Sequence, residues 1–200
     1  MEIACAVVLS LATMASAWCA YQSNLWGGVQ TFRLHAASAA SRKASELNIT
    51  ALELRSFDIS IGLAFMETVF RGDKKQEEFY YGRFRPEMKA AVDAWLATDP
   101  LKNPAAPRGP FVMKEYVQQE LIDAQRLEKQ SDQEYIAAQD ANETSDTYVL
   151  LTVLFASVLF FGGIGGTFQS QRLRSIVFIV ALVLFVATLI VLGTLPICRE

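Results

Sequence analysis

The sequence predicts an all-α membrane protein with three transmembrane helices and an extramembrane helical hairpin or bundle between spans 1 and 2. Three apolar stretches without charge indicate the spans: 3–21, 148–168 and 176–197. Each is long enough, at about 1.5 Å per helical residue, to cross roughly 30 Å of hydrocarbon. Most charged residues lie between Arg33 and Asp146, so we expect the segment 22–147 to face water.

The first stretch allows two interpretations. Residues 15–17, Ala-Ser-Ala, have the A-x-A form of a signal-peptidase site, which would make residues 1–17 a cleaved signal peptide. A signal peptide normally opens with basic residues, but here Glu2 is the only charged residue before the apolar run. The run also continues to Tyr21. We therefore expect a retained helix, with a cleaved signal as the alternative.

The loop between the second and third stretches predicts the orientation. It carries Arg172 and Arg174 and no acidic residue, and short loops rich in Arg or Lys stay in the cytoplasm. The N-terminus is then cytoplasmic and residues 22–147 lie outside, which in a bacterium is the periplasm. The opposite orientation would make another basic group cytoplasmic: Arg33, Arg42 and Lys43.

The water-exposed segment opens with a helical pattern from Thr31 to about Phe70. Its apolar residues recur at spacings of three, four and seven, which is typical of one helix face. They are Leu47, Ala51, Leu54, Ile61, Phe65 and Val69. The Gly27-Gly28 pair is a candidate bend in this helix, and Gly72-Asp73 is its expected end.

A second helix is expected from Pro86 to about Thr98, because proline suits a first helical turn. Four prolines in residues 99–110 then predict an extended loop. From about Phe111 the helical pattern resumes without interruption to Phe168, and apolar residues recur at intervals compatible with a coiled coil. These are Val117, Leu121, Ala124 and Ala138.

Two membrane-proximal blocks resemble a family of small uncharacterised bacterial inner-membrane proteins with three spans. Residues 18–30 contain Tyr21-Gln22, then Trp26, Gly28 and Gln30, a spacing similar to that family's block after its first span. Residues 142–150 resemble the entrance to its second span. The resemblance covers under half of the chain. It implies a multi-pass protein of the bacterial inner membrane and supplies no catalytic residues.

Two sets of residues are candidates for contacts. The first is a polar and aromatic patch beside the first span, suited to a partner or a lipid headgroup, although a role at the membrane interface explains it more simply. Its members are Tyr21, Gln22, Trp26, Gln30 and Arg33. The second set allows close helix approach through a G-x-x-x-G spacing and a small-residue face on span 1, although local flexibility near a turn explains the glycines equally well. Its members are Gly162, Gly166, Ala6, Ser10 and Ala17.

Several functional classes find no support in the sequence. The net charge of −3 does not favour nucleic acid, and the three cysteines form no C-x-x-C pair. His35 is the single histidine, and no catalytic or cofactor-binding motif is present. We therefore expect neither an enzyme nor a bound cofactor or metal. The spans hold no ionisable residue of the kind that proton-coupled and ion-coupled carriers use.

These observations favour a structural or protein-interaction module that uses its outer helices. Its expected partners are the lipid bilayer and either further copies of itself or another membrane protein. One alternative is an oligomeric channel or transport accessory, suggested by the glycines of span 2. The other is a sensor acting through a separate partner, suggested by a helical domain between two spans.

Overall fold

The computed structural model describes residues 2–199, and within them it contains five α-helices and no strand. The all-α fold class is confirmed. The helices are α1 (Glu2–Arg71), α2 (Lys74–Tyr81), α3 (Pro86–Leu96), α4 (Gln119–Gly165) and α5 (Gln171–Leu192), with a single 3-10 turn at Pro110–Val112. In the described part of the chain, α1, α4 and α5 are long and apolar enough to cross a membrane.

The chain divides into two units. Residues 1–37 and 132–200 form the first, here called the membrane unit. Residues 38–131 form the second, here called the intervening unit.

The core of the membrane unit is formed by one face from each of its three helices. Its buried residues recur at spacings of three, four and seven, because that period returns a helical side chain to the same face. They are Ala12, Cys19, Tyr148, Leu151, Phe155, Val158, Ala181 and Phe185. Phe155 and Phe185 pack edge to face with ring centroids 6.0 Å apart, which joins α4 to α5.

The intervening unit has its own aromatic core. Phe65 on α1 packs edge to face against Phe84, with ring centroids 5.1 Å apart, and Met88 and Val92 of α3 complete the buried cluster. Beside this core, buried Trp95 donates its indole N–H to the carbonyl oxygen of Pro107 at 2.8 Å. That bond ties the proline-rich segment to α3.

Local residues set two of the helix ends as predicted. Gly72 adopts φ 75°, a left-handed conformation that glycine reaches without strain, and α1 ends just before it. The next residue, Asp73, caps α2 by accepting a hydrogen bond from the Gln76 backbone N–H at 3.1 Å. Pro86 occupies the first turn of α3, as predicted. At the candidate bend Gly27-Gly28, α1 continues as a helix through both glycines.

The start of α4 and the shape of the proline-rich loop were predicted wrongly. The helix begins at Gln119 rather than near Phe111, because the 3-10 turn and a turn ending at Tyr116 come first. Val117 therefore precedes α4, and both Val117 and Leu121 are exposed, whereas Ala124 and Ala138 are buried. Residues 99–110 are not extended: their backbone folds into successive turns closed by bonds to the carbonyls of Asp99 and Asn103.

Candidate functional site

Gln22, a candidate for partner contact, is fully buried and binds the chain's own C-terminal segment. Its amide nitrogen donates to the Cys198 carbonyl oxygen at 3.3 Å, and its amide oxygen accepts from the Cys198 backbone N–H at 2.9 Å. Both ends of the amide are therefore satisfied inside the membrane unit. Cys198 lies outside any helix, so its backbone N–H and carbonyl have no helical hydrogen-bond partners, and the Gln22 amide supplies them.

Two aromatic side chains hold the same segment. The indole N–H of Trp26 and the hydroxyl of Tyr148 each donate to the Pro196 carbonyl oxygen at 3.2 Å. These contacts explain why α5 ends at Leu192, short of the predicted limit of the third span at residue 197. Pro196 cannot supply a helical N–H, and its own carbonyl oxygen is bound by these two side chains.

The other members of the polar patch lie elsewhere in the membrane unit. Tyr21 is exposed and its ring lies 5.8 Å from that of Trp18, an arrangement typical of a membrane interface. Gln30 lines a shallow groove together with Tyr135 of α4. Arg33 pairs with Glu134, with Nη1 and Oε2 2.8 Å apart. Gln22 and Trp26 thus both bind the segment that contains Pro196 and Cys198. Gln30 and Arg33 lie instead beside the polar part of α4.

The glycine candidates differ from each other. A Cβ added to Gly162 would lie 2.5 Å from Cδ2 of Leu9, so α1 and α4 approach closely there. Cys5 reinforces the approach, since its thiol lies 3.8 Å from the Gly162 carbonyl oxygen. Gly166 lies beyond the end of α4, and a Cβ on it would meet only the backbone oxygen of Gly163.

The small residues of α1 contribute unequally to this approach. Ala6 lines a cavity of about 220 Å³ beside Gly162. Ser10 and Ala17 are exposed, and the Ser10 hydroxyl donates to the Ala6 carbonyl oxygen within its own helix. The contact with Gly162 is instead made by Leu9 and Cys5.

Substitution at Gly162 should separate α1 from α4. We expect Gly162→Val to lower the thermal stability of the membrane unit, because the new side chain collides with Leu9. Gly163→Val is the matched control, since a Cβ at Gly163 meets no atom within 4 Å. Melting of both variants in detergent, followed by size-exclusion chromatography, measures the difference. Equal melting temperatures would contradict the close approach.

The two arginines of the connecting loop lie in the first turn of α5, which follows the N-cap residue Ser170. Arg174 lines the cavity next to Gly165 and Phe178. The role of Arg172 and Arg174 in setting the orientation stays a prediction.

A buried polar cluster in the intervening unit was missed at the sequence level. The Asp58 carboxylate is fully buried on the inner side of α1. It accepts hydrogen bonds from Arg85 Nη2 at 3.0 Å and from the Tyr116 hydroxyl at 2.9 Å. Arg85 also lies near Glu120 of α4, with Nη1 and Oε1 3.9 Å apart. One acidic residue thus joins α1 to the start of α3 and to the segment that precedes α4.

A sequence signal for this cluster does exist. Asp58 follows Leu54 by four residues and precedes Ile61 by three, so it continues the apolar stripe of α1. An acidic residue within such a stripe must be paired when it is buried. Nothing in the local sequence, however, identifies Arg85 or Tyr116 as the partners.

The cluster stabilises the neutral tyrosine and the charged guanidinium. Burial, together with the hydrogen bond to Asp58, raises the pKa of the Tyr116 hydroxyl. The hydrogen bond to Asp58 also raises the pKa of Arg85. Among the described residues, no three metal-binding side chains of His, Cys, Asp or Glu lie together. The ion pair of Asp58 and Arg85 links α1 to the start of α3.

The raised pKa of Tyr116 makes the intervening unit sensitive to alkali. The folded state keeps the phenol proton above pH ~10, where an unfolded tyrosine loses it, so this stability is present below that pH and is lost above it. We expect the free energy of unfolding to fall less steeply in Tyr116→Phe than in the wild type from about pH 9 to pH 11. Urea unfolding at a series of pH values measures both slopes. If the free energies of unfolding of the two proteins changed with pH at the same slope, Tyr116 would not be the source of the alkali sensitivity.

Beside the buried stripe, α1 carries a second, mainly apolar row within the intervening unit, here called the outer face, whose member Met66 also packs against the core of that unit. Its spacing alternates between three and four residues. It consists of Ile49, Leu52, Ser56, Ile59, Leu63, Met66 and Phe70. Four of them are largely exposed: Ile49 at 58%, Leu52 at 64%, Leu63 at 56% and Phe70 at 66%.

Comparison with known proteins found no similar protein. No protein-family model matches the chain, and neither the curated proteins nor the solved structures contain a match to it.

Proposed function

We propose that the protein is a membrane-anchored interaction module whose intervening unit binds another protein through the outer face of α1. The observation that carries the proposal is the run of exposed apolar side chains from Ile49 to Phe70 on one side of a helix. Three apolar helices are consistent with an anchor in lipid. No enzymatic role is proposed.

The arrangement of the exposed residues matters more than their number. Single exposed apolar side chains are common on protein surfaces and need no explanation. Here, however, Leu52, Leu63 and Phe70 share one face with Ile49, and each exposes more than half of its surface. Anchors at such helical spacing are how an amphipathic helix binds a groove or another helix. A partner that covers the face would remove this apolar surface from water.

We place the protein in the bacterial inner membrane, with its N-terminus in the cytoplasm and the intervening unit in the periplasm. Arg172 and Arg174 support this orientation, because the short connection between the second and third apolar stretches holds these two basic residues and no acidic one. The resemblance of residues 18–30 to small bacterial membrane proteins supports the location.

Site-specific photo-crosslinking in living cells tests the interaction. A photoreactive amino acid at Leu52 or Leu63 should yield a covalent adduct of higher mass. The same amino acid at Phe57 should yield none, because Phe57 is 56% exposed but lies on another side of α1. Absence of adducts from both Leu52 and Leu63, at wild-type expression levels, would contradict the proposal.

Labelling of single cysteines tests the orientation. Asn103→Cys in the proline-rich loop and Ser170→Cys between α4 and α5 are introduced after the three native cysteines are replaced by alanine. A membrane-impermeant maleimide added to intact spheroplasts should label position 103 and leave position 170 unlabelled. The reverse pattern would invert the orientation and leave the interaction proposal untouched.

A further inference from the structure

We infer that the occupant of the outer face is a second copy of this chain, bound as a parallel, in-register pair of α1 helices. The inference rests on the proposed function and names its partner. It follows from the period of the outer face and from the charges beside it.

The period of the outer face specifies the kind of partner. Ile49, Ser56, Leu63 and Phe70 repeat every seven residues, and the intermediate positions are Leu52, Ile59 and Met66. This alternation of three and four is the a and d pattern by which two helices pack side by side and supercoil. A matching helix must carry the same repeat. The chain itself supplies one, and a two-fold pair needs only a single self-complementary face.

The residues beside the outer face favour a parallel pair over an antiparallel one. In a parallel pair, each residue before an a position meets the partner's residue five places further along. That rule pairs Asn48 with Glu53 and Arg55 with Ser60, so no like charges meet. In an antiparallel pair, the acidic side of the face, which includes Glu46, would meet itself and repel.

Pairing uses the exposed residues of the outer face, whereas its member Met66 packs against the core of the intervening unit. Ala51, Asp58 and Phe65 lie on the buried stripe of α1, and they already contact the chain's own residues.

Disulfide crosslinking tests the pair and its direction. In full-length protein in native membranes, with the three native cysteines replaced by alanine, single cysteines are placed at Ile49, Ser56 and Leu63. Copper phenanthroline with dissolved oxygen removes one electron and one proton from each of two thiols and forms one S–S bond. A parallel, in-register pair should give covalent dimers at all three positions. Phe57→Cys, adjacent to Ser56 but off the face, should give almost none.

Other patterns in this experiment would overturn the inference. An antiparallel pair would crosslink at no more than one of the three positions, because only residues near its two-fold axis meet their own copies. Dimers that form equally from Phe57→Cys would reflect random collision. Dimers at none of the outer-face positions would exclude a second copy as the partner.

A gain-of-contact variant guards against loss through misfolding. Ser56 is the one polar residue at the seam, so Ser56→Leu should raise the fraction of dimer severalfold in detergent, measured by light scattering. The double variant Leu52→Glu with Leu63→Glu should be monomeric, while hydrogen exchange at Phe65 and Met88 stays as in the wild type. An unchanged dimer fraction in both variants would overturn the inference.

The two proposals fail in distinguishable ways. If Leu52 and Leu63 photo-crosslink to a protein of another mass while cysteine dimers are absent, the second-copy inference is wrong and the interaction module stands. If photo-crosslinks and cysteine dimers are both absent, both proposals are wrong.

Discussion

Replacing Arg85 by alanine is expected to destabilise the intervening unit by about 3–5 kcal/mol. The substitution leaves the Asp58 carboxylate fully buried without its cationic partner, and Tyr116 alone cannot offset the lost solvation. Native-state hydrogen exchange of the full chain in lipid nanodiscs measures the loss at the amides of α3. The three side chains act as one group, so the effect should extend to the residues around Tyr116.

Arg83→Ala is the control for this variant. Arg83 lies two residues away and stacks its guanidinium over the Phe79 ring at 3.5 Å, but it is exposed and contacts no buried acid. Its loss should cost less than about 1 kcal/mol. A triple variant that replaces Asp58, Arg85 and Tyr116 by leucine, methionine and phenylalanine should recover much of the lost stability, because it removes the fully buried charge of Asp58. Equal losses for Arg83→Ala and Arg85→Ala would show that Asp58 does not need its partner.

The second large effect is expected at the aromatic core of the intervening unit. Phe65→Ala should lower its free energy of unfolding by about 3–5 kcal/mol, because the truncation leaves a cavity that the surroundings fill only partly. Phe65 is 1% exposed, and its ring packs against Phe84 and lies 6.4 Å from that of Tyr81. Loss of the edge-to-face contact with Phe84 adds to the loss of buried area.

The same substitution elsewhere on α1 separates packing from helix propensity. Phe57→Ala changes the same residue type in the same helix at a position that is 56% exposed. It should change stability by about 0.5 kcal/mol or less. Hydrogen exchange of the two variants, read at the amides of α3, gives both values. Similar values for the two variants would mean that Phe65 does not form the core.

The sequence predicts most reliably what a single residue or a long composition bias decides. The three apolar stretches are visible because charge is excluded from them over many residues, as at Ile176–Val191. Gly72 and Pro86 mark helix boundaries through their own backbone conformations. These features need no knowledge of distant contacts.

Distant contacts decide the features that the sequence does not reveal. The end of α5 depends on Gln22 and Trp26, which precede Cys198 by well over a hundred residues and bind the segment around it. The start of α4 likewise follows turns whose register the helical periodicity does not show. Where the side chain that satisfies a backbone group lies far along the chain, periodicity alone places the helix end wrongly.

The candidate site residues likewise have some properties that the local sequence reveals and others that depend on distant contacts. Gly162 is recognisable from the sequence as a position for close helix approach. Which residue of α1 it contacts, Leu9 rather than Ser10 or Ala17, depends on how α1 is oriented about its own axis, and the sequence does not show this. The burial of Asp58 follows from its place on the stripe. Its bond to Tyr116 spans 58 residues and has no local signal.

The core of the intervening unit also bears on how the protein is made. All of its members, from Ile61 to Tyr116, precede the second apolar stretch in the chain. Synthesis proceeds from the N-terminus and domains fold as units, so this core can close before the last two helices emerge from the ribosome. The intervening unit can then fold independently of the membrane insertion of the helices that follow it. A substitution that destabilises the core at Phe65 would therefore act on the nascent chain before its membrane anchor is complete.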